Sequence, residues 1–172
     1  MKKFTVILLI LLGQGIVAFG QTVSLEIIDV EVHKINANQN LTIKEFDANE
    51  AYERIFDGDG LIRIYLDNNE IKKIEEEIGL SFGRIGTAIY FSKGEPIKII
   101  DTEENFKLKS DQATFDYSKL DKVFEATIYI FDWDLDRNQT MIKGKRNLSE
   151  GTCAIFEYEG TIDTAKKLLN KK

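Results

Sequence analysis

Two stretches of this chain repeat each other at a spacing of 25 residues. Segment 64–74 reads IYLDNNEIKKI and segment 89–99 reads IYFSKGEPIKI. Ile64 matches Ile89, Tyr65 matches Tyr90, Glu70 matches Glu95, Lys73 matches Lys98 and Ile74 matches Ile99. Each copy is an apolar-aromatic run, a turn pair and a second run. Asn68-Asn69 and Lys93-Gly94 stand where a tight hairpin needs residues that accept positive φ. A third, degenerate copy begins at Ile128-Tyr129-Ile130-Phe131, passes through a longer turn from Asp132 to Asn138, and returns through Met141-Ile142. The period is not sustained along the chain, so the repeat predicts a meander of antiparallel hairpins and not a solenoid.

The alternation within the runs supports this. In 61–66, Leu61, Arg63 and Tyr65 share one face, while Ile62, Ile64 and Leu66 share the other, as in a half-buried strand. Ile71 is out of phase with Ile74 and Ile78, which predicts a bulge or a face switch. Pro96 lacks a backbone donor, so its strand is at an edge or begins irregularly there. Gly83 to Gly86 is expected to link two hairpins, Asp57-Gly58-Asp59-Gly60 to lead into the strand at Leu61, and Lys107 to Lys119 to form an irregular polar connection.

The ends read as helices. Leu25, Ile28, Val32 and Ile35 recur at helical spacing behind Ser24 as N-cap. Ile27, Val30 and the β-branched content keep a strand open as the alternative over 24–35. Leu148, Ile155, Tyr158, Ile162, Ala165 and Leu169 carry a C-terminal helical stripe, with Ser149 as its expected N-cap. No stretch is rich enough in Pro, Gly or Ser to divide the chain. The fold class expected is α+β: an antiparallel β-meander of five to seven strands flanked by N- and C-terminal helices, the latter covering one face.

Residues 1–20 read as an export signal. Lys2 and Lys3 precede an apolar run from Phe4 to Leu12, and Ala18-Phe19-Gly20 gives a small-x-small cleavage site. Gln21 follows, not Cys, which points away from a lipoprotein. A single domain over 21–172 in the periplasm or outside the cell is therefore expected, with no stable membrane anchor after cleavage. Without Lys2 and Lys3 the net charge is −8, against −6 for the whole chain. Such an acidic balance disfavours nucleic acid and anionic lipid as partners. One cysteine, Cys153, forbids an internal disulfide, and one histidine, His33, excludes zinc sites built from Cys and His clusters. Cys153 reads as a small buried residue.

No catalytic or cofactor motif stands out, and three patterns are the candidates. Asp132, Asp134, Asp136 and Asn138 place oxygen ligands at alternate positions of one turn, as calcium requires. Arg137 and Lys143 stand where such a loop places its glycine and its bidentate glutamate, which weighs against calcium. Tyr129, Phe131 and Trp133 are the candidate binding surface. Alternation sets Tyr129 and Phe131 opposite Ile128 and Ile130, on a sheet face that one covering helix would leave open, and Trp133 is the aromatic expected to be most exposed. Glu75-Glu76-Glu77 and Glu103-Glu104 are acidic runs expected at solvated strand ends. A carboxylate hydrolase would need two acids facing each other across a cleft.

The runs IYLDNNEIKKIEEEIG (64–79), SFGRIGTAIYF (81–91) and ATIYIFDWD (126–134), with the ending DTAKKLL (163–169), together resemble a group of small exported bacterial proteins built as helix, antiparallel meander and helix. The resemblance implies the fold and transfers no activity or site residue. The function expected is a non-enzymatic interaction module of the bacterial envelope, binding another envelope protein or a small ligand, with self-association through the sheet edges as a further outcome. A calcium-stabilised structural domain and a carboxylate-based hydrolase are the alternatives.

Overall fold

In the computed structural model, residues 24–110 and 113–171 are described; the expected signal at 1–20 lies outside them. The element order is α1 (Leu25–Ala37), β1 (Thr42–Asp47), α2 (Ala48–Tyr52), β2 (Gly60–Asp67), β3 (Glu70–Leu80), β4 (Gly83–Ser92), β5 (Glu95–Leu108), β6 (Phe115–Asp132), β7 (Arg137–Gly144) and α3 (Glu159–Asn170), the last preceded by a short 3-10 turn. The seven strands lie in sequence order and each pairs antiparallel with the next. Both terminal helices are present, and α1 resolves the choice over 24–35: the Ser24 side chain accepts from the Ile27 N–H at its start.

The repeat has a direct structural meaning. Its isoleucines form one row across the sheet, Ile64–Ile74–Ile89–Ile99–Ile128, and every member is fully buried. The neighbouring row, on the other face, alternates tyrosine and lysine: Tyr65–Lys73–Tyr90–Lys98–Tyr129. Each two-residue turn has positive φ at both positions, 49° and 68° at Asn68-Asn69 and 55° and 86° at Lys93-Gly94. That geometry matches the strand twist. Both copies bulge at the same place. The register slips between Tyr65 and Leu66 in the first and between Tyr90 and Phe91 in the second. This slip is why Ile71 falls out of phase, and it lets Pro96 sit just inside β5, a central strand, instead of at an edge.

Helices cover both faces, where the sequence pointed to one. The 3-10 turn and α3 pack with Ile155, Tyr158, Ile162 and Ala165 on the isoleucine face. On the tyrosine face, α1 seats Ile28, Val32 and Ile35 against Tyr90 and Tyr129. Four further expectations need correction. The turn between β3 and β4 is Ser81-Phe82, and Gly86 lies inside β4. Most of Lys107–Lys119 belongs to β5 and β6, which extend as one long hairpin. Residues 145–154 are irregular, so Ser149 caps no helix and α3 starts only at Glu159. Finally, β1 and α2 fill a stretch in which no element was expected.

Candidate functional site

Alternation places the predicted aromatics correctly as far as the end of β6. Ile128 and Ile130 face α3, while Tyr129 and Phe131 face α1. Tyr129 is not an open binding surface, however, since only 5% of it is exposed. The helix α1 covers it. Asp29 accepts from the Tyr129 hydroxyl at 3.1 Å and from Lys98 Nζ at 2.5 Å, and Lys98 lies 4.4 Å from the centre of the Tyr129 ring. Burial pushes the Lys98 pKa down, but the bonds to Asp29 and Tyr129 outweigh it and the net shift is upward. At the other end of α1, the Asn36 amide donates to the Tyr90 hydroxyl, and its oxygen accepts from Lys73. The tyrosine–lysine row is therefore the seat of α1. Phe131 is half-buried at its margin.

A bulge at Phe131, between the pairs Ile130–Asn138 and Asp132–Arg137, breaks the alternation. Trp133 consequently packs half-buried against the α3 side and is not the exposed ring the sequence suggested. In the turn itself the proposed calcium ligands bond to one another and to their neighbours. Asp132 accepts from the Leu135 N–H at 3.0 Å and from Arg137 at 2.7 Å, Asn138 donates to Asp136 at 2.8 Å, and Thr140 donates to the Asn138 side chain at 3.2 Å. The Arg137 bond, followed by the Leu135 N–H, holds the Asp132 pKa below the usual carboxylate range. Asp134 stands exposed in the same turn.

The sequence did not reveal a set of charges buried on the α3 face. Asp101 and Glu103 of β5 share that face with Ile99, and Glu103 is fully buried. Above them runs the irregular segment 145–154. The Glu103 carboxylate accepts from three successive backbone N–H groups, Asn147 at 2.6 Å, Leu148 at 2.8 Å and Ser149 at 3.1 Å, and from the Ser149 hydroxyl at 2.5 Å. Arg146 reaches Asp101 at 2.6 Å, the Ser149 hydroxyl at 2.8 Å, the Cys153 sulfur at 3.1 Å and Glu103 at 3.4 Å, and it lies over the Phe124 ring. The Tyr158 hydroxyl donates to Asp101 at 2.8 Å. Burial pushes the Glu103 pKa up, yet the Ser149 hydroxyl, the Asn147 and Leu148 N–H groups and Arg146 together bring it below normal. Two strands away, Glu76 accepts from Tyr52 and Thr161; desolvation dominates there and its pKa is raised. These carboxylates, read from the sequence as solvated runs, bind the chain to itself. Asp101 and Glu103 clasp the segment before α3 onto the sheet, and Glu76 ties α2 and α3 to it. Cys153 is buried within the same clasp, as expected of a small buried residue.

One aromatic group serves neither helix seat. The β5–β6 hairpin outruns the rest of the sheet, because β4 begins at Gly83 opposite Asn105. At the base of this overhang, Phe82 lies against Phe115 with ring centres 5.9 Å apart, Phe106 against Tyr117 at 5.0 Å, and Phe115 against Tyr117 at 6.2 Å. Phe82 is 61% exposed and Tyr117 68%. Tyr117 belongs to a three-residue bulge, since Phe106 pairs with Leu120 and Lys107 with Asp116. Asp116 fixes that bulge by accepting from the Ser118 hydroxyl and N–H and from Lys119. The Ser118 hydroxyl, then Lys119, lower its pKa to about 2. The sequence signal available for this group was the cluster Phe106, Phe115 and Tyr117 within a stretch otherwise polar.

Among the described residues no three His, Cys, Asp or Glu side chains form a group that could hold a metal ion, and no helix is long and apolar enough to cross a membrane. Comparison of the chain with protein-family models, with curated proteins and with solved structures returns no match.

Proposed function

We propose that this protein is an exported, non-enzymatic interaction module that binds another protein of the bacterial envelope, in the periplasm or outside the cell. The observation that carries this reading is the aromatic group Phe82, Phe106, Phe115 and Tyr117 on the overhanging hairpin. Rings at this density, two of them exposed and two half-buried, all outside both cores, are what a protein interface uses as anchors, because they bury large area at small entropic cost. The ordered Tyr117 bulge makes the group a fixed platform and so limits the ordering cost of binding.

A photo-activatable residue placed at Tyr117 tests the reading in native cells, with the same probe at Phe156, an exposed ring in the turn before α3, as the control. One partner captured from position 117 but not from 156, and lost when Phe82 is changed to Ala, supports the module. Identical capture from both positions, or none from either, overturns it.

A further inference from the structure

The two edges of the sheet are unlike. Seven of the eight β7 residues are exposed, including Met141 and Ile142 on opposite faces. The run Asn138 to Ile142 carries no charge and no proline. Over these five residues the edge presents a row of backbone donors and acceptors without the usual deterrents to pairing, which Arg137 and Lys143 supply only at its flanks. The β1 edge is shorter, carries Lys44, Glu45 and Asp47, and runs directly into α2.

We infer that β7 is a self-association edge, pairing antiparallel with β7 of a second copy about a two-fold axis normal to the sheet. The occupant follows from the register. Such an axis keeps each face on its own side, so residue positions of equal parity stand opposite one another. Centring on Thr140 sets Arg137 against Lys143 of the second copy, a like-charge pair. Centring on Met141 removes it from within the strand: Met141 meets its symmetry mate, Thr140 meets Ile142, Gln139 meets Lys143 and Asn138 meets Gly144, while Arg137 falls opposite Lys145, beyond the end of β7. Both exposed apolar side chains are then covered. On β1, centring on Lys44 or on Glu45 opposes that residue to itself, and centring on Phe46 sets Glu45 against Asp47. Only the short register about Ile43 escapes. The sequence of one edge thus admits a copy of itself and that of the other repels it. The pairing is isologous and closes at a dimer.

The chain from residue 21, which holds every described residue, is measured by analytical ultracentrifugation. The expected mass is twice that of one chain, and Met141→Lys halves it with an unchanged far-ultraviolet spectrum, whereas Ile43→Lys leaves the dimer intact. Independently, Met141→Cys cross-links two chains under mild oxidation, because directly opposed residues fall within disulfide reach. Lys143→Cys, displaced from the axis, does not. A monomer throughout the micromolar range, a dimer that persists in Met141→Lys, or equal cross-linking from positions 141 and 143 overturns the inference.

Discussion

The two faces of the sheet hold their helices by opposite means. On the α1 side the polar groups lie in a row that the repeat generates, Tyr65–Lys73–Tyr90–Lys98–Tyr129. The row's lysines are largely buried, Lys73 at 12% and Lys98 at 10% exposed, but Asp29, the carboxylate partner of Lys98, reaches solvent and is about half exposed. On the α3 side the polar groups interrupt an isoleucine face, and the side chains of Asp101, Glu103 and Arg146 are 6%, 0% and 12% exposed. The first face is a regular pattern to which a helix adapts through two polar side chains, Asp29 and Asn36, and three apolar ones. The second is a single keyed contact. Charges removed from water must find their partners or the fold suffers, so the irregular segment 145–154 is held in one place. Loss of a contact is therefore much costlier on the α3 face than on the α1 face.

The sharpest way to break this comparison is Arg146→Met, which leaves both Asp101 and Glu103 buried without their cation. Stripping one partner from a buried ion cluster costs about 3–5 kcal/mol, and urea denaturation at neutral pH should show a loss of that size. Glu103→Gln keeps the shape but turns amide hydrogens toward the N–H groups of 147–149, and a loss of about 2 kcal/mol is expected. A loss below about 1 kcal/mol in either variant would mean that the clasp is not what holds α3.

On the other face, Lys98→Met removes the bond to Asp29 and the contact with the Tyr129 ring but keeps most of the packing. Because Asp29 is half exposed, solvent screening discounts the ion pair, and the expected cost is about 1 kcal/mol. Hydrogen exchange sharpens the contrast. Amides of α1 should exchange faster in Lys98→Met while those of α3 stay protected, and the reverse should hold in a destabilised but still folded Glu103→Gln.

The same contrast explains what was legible in the sequence. The repeat carried the succession of hairpins and their two positive-φ turns, because each of these is written in two local copies, and the phase of Ile71 carried the first bulge. It did not yield the meaning of Tyr65, Lys73, Tyr90 and Lys98, since a cross-sheet row becomes visible only when register is known. Glu103 looked like solvated acid because its partners are three backbone N–H groups more than 40 residues away, and backbone donors leave no sequence mark. Ser149 looked like a helix cap for a related reason: it has the right chemistry for one, but its hydroxyl serves Glu103. At Phe131 a bulge in the strand sent Trp133 to the face opposite the one that alternation predicts. The aromatic overhang was partly legible as composition, yet its exposure depends on β5 and β6 outrunning their neighbours, which strand propensity alone does not dictate.

A smaller effect tests the α3 face through pH. Glu76 and Glu103 shift in opposite directions. The depressed Glu103 contributes stability above the ordinary carboxylate range and loses it as pH falls through its lowered pKa. Glu76, raised by desolvation despite its bonds to Tyr52 and Thr161, contributes stability while protonated and loses it as pH rises from about 4.5, the ordinary glutamate value, through its elevated pKa. Glu76→Gln should therefore be more stable than the parent at pH 7, with the difference closing toward pH 4. A parallel pair of stability–pH curves would show that Glu76 ionises without penalty.

The smallest expected effect concerns the turn where β6 leaves its alternating pattern. Calcium would have to displace Arg137 from Asp132 and break the Asn138–Asp136 bond before it could gather the oxygens of Asp132, Asp134, Asp136 and Asn138. A bound ion raises the melting temperature in proportion to its occupancy of the folded state, so melting in millimolar calcium and in excess chelator should agree within about 1 °C. Arg137→Gly isolates the cause, since it frees Asp132 and restores the small residue that a calcium loop places there. A calcium-dependent rise that appears only in Arg137→Gly would identify the arginine as the group that keeps this acidic turn closed upon itself. A rise already present in the parent would reassign the turn as an ion site and make it a third means of fixing the sheet.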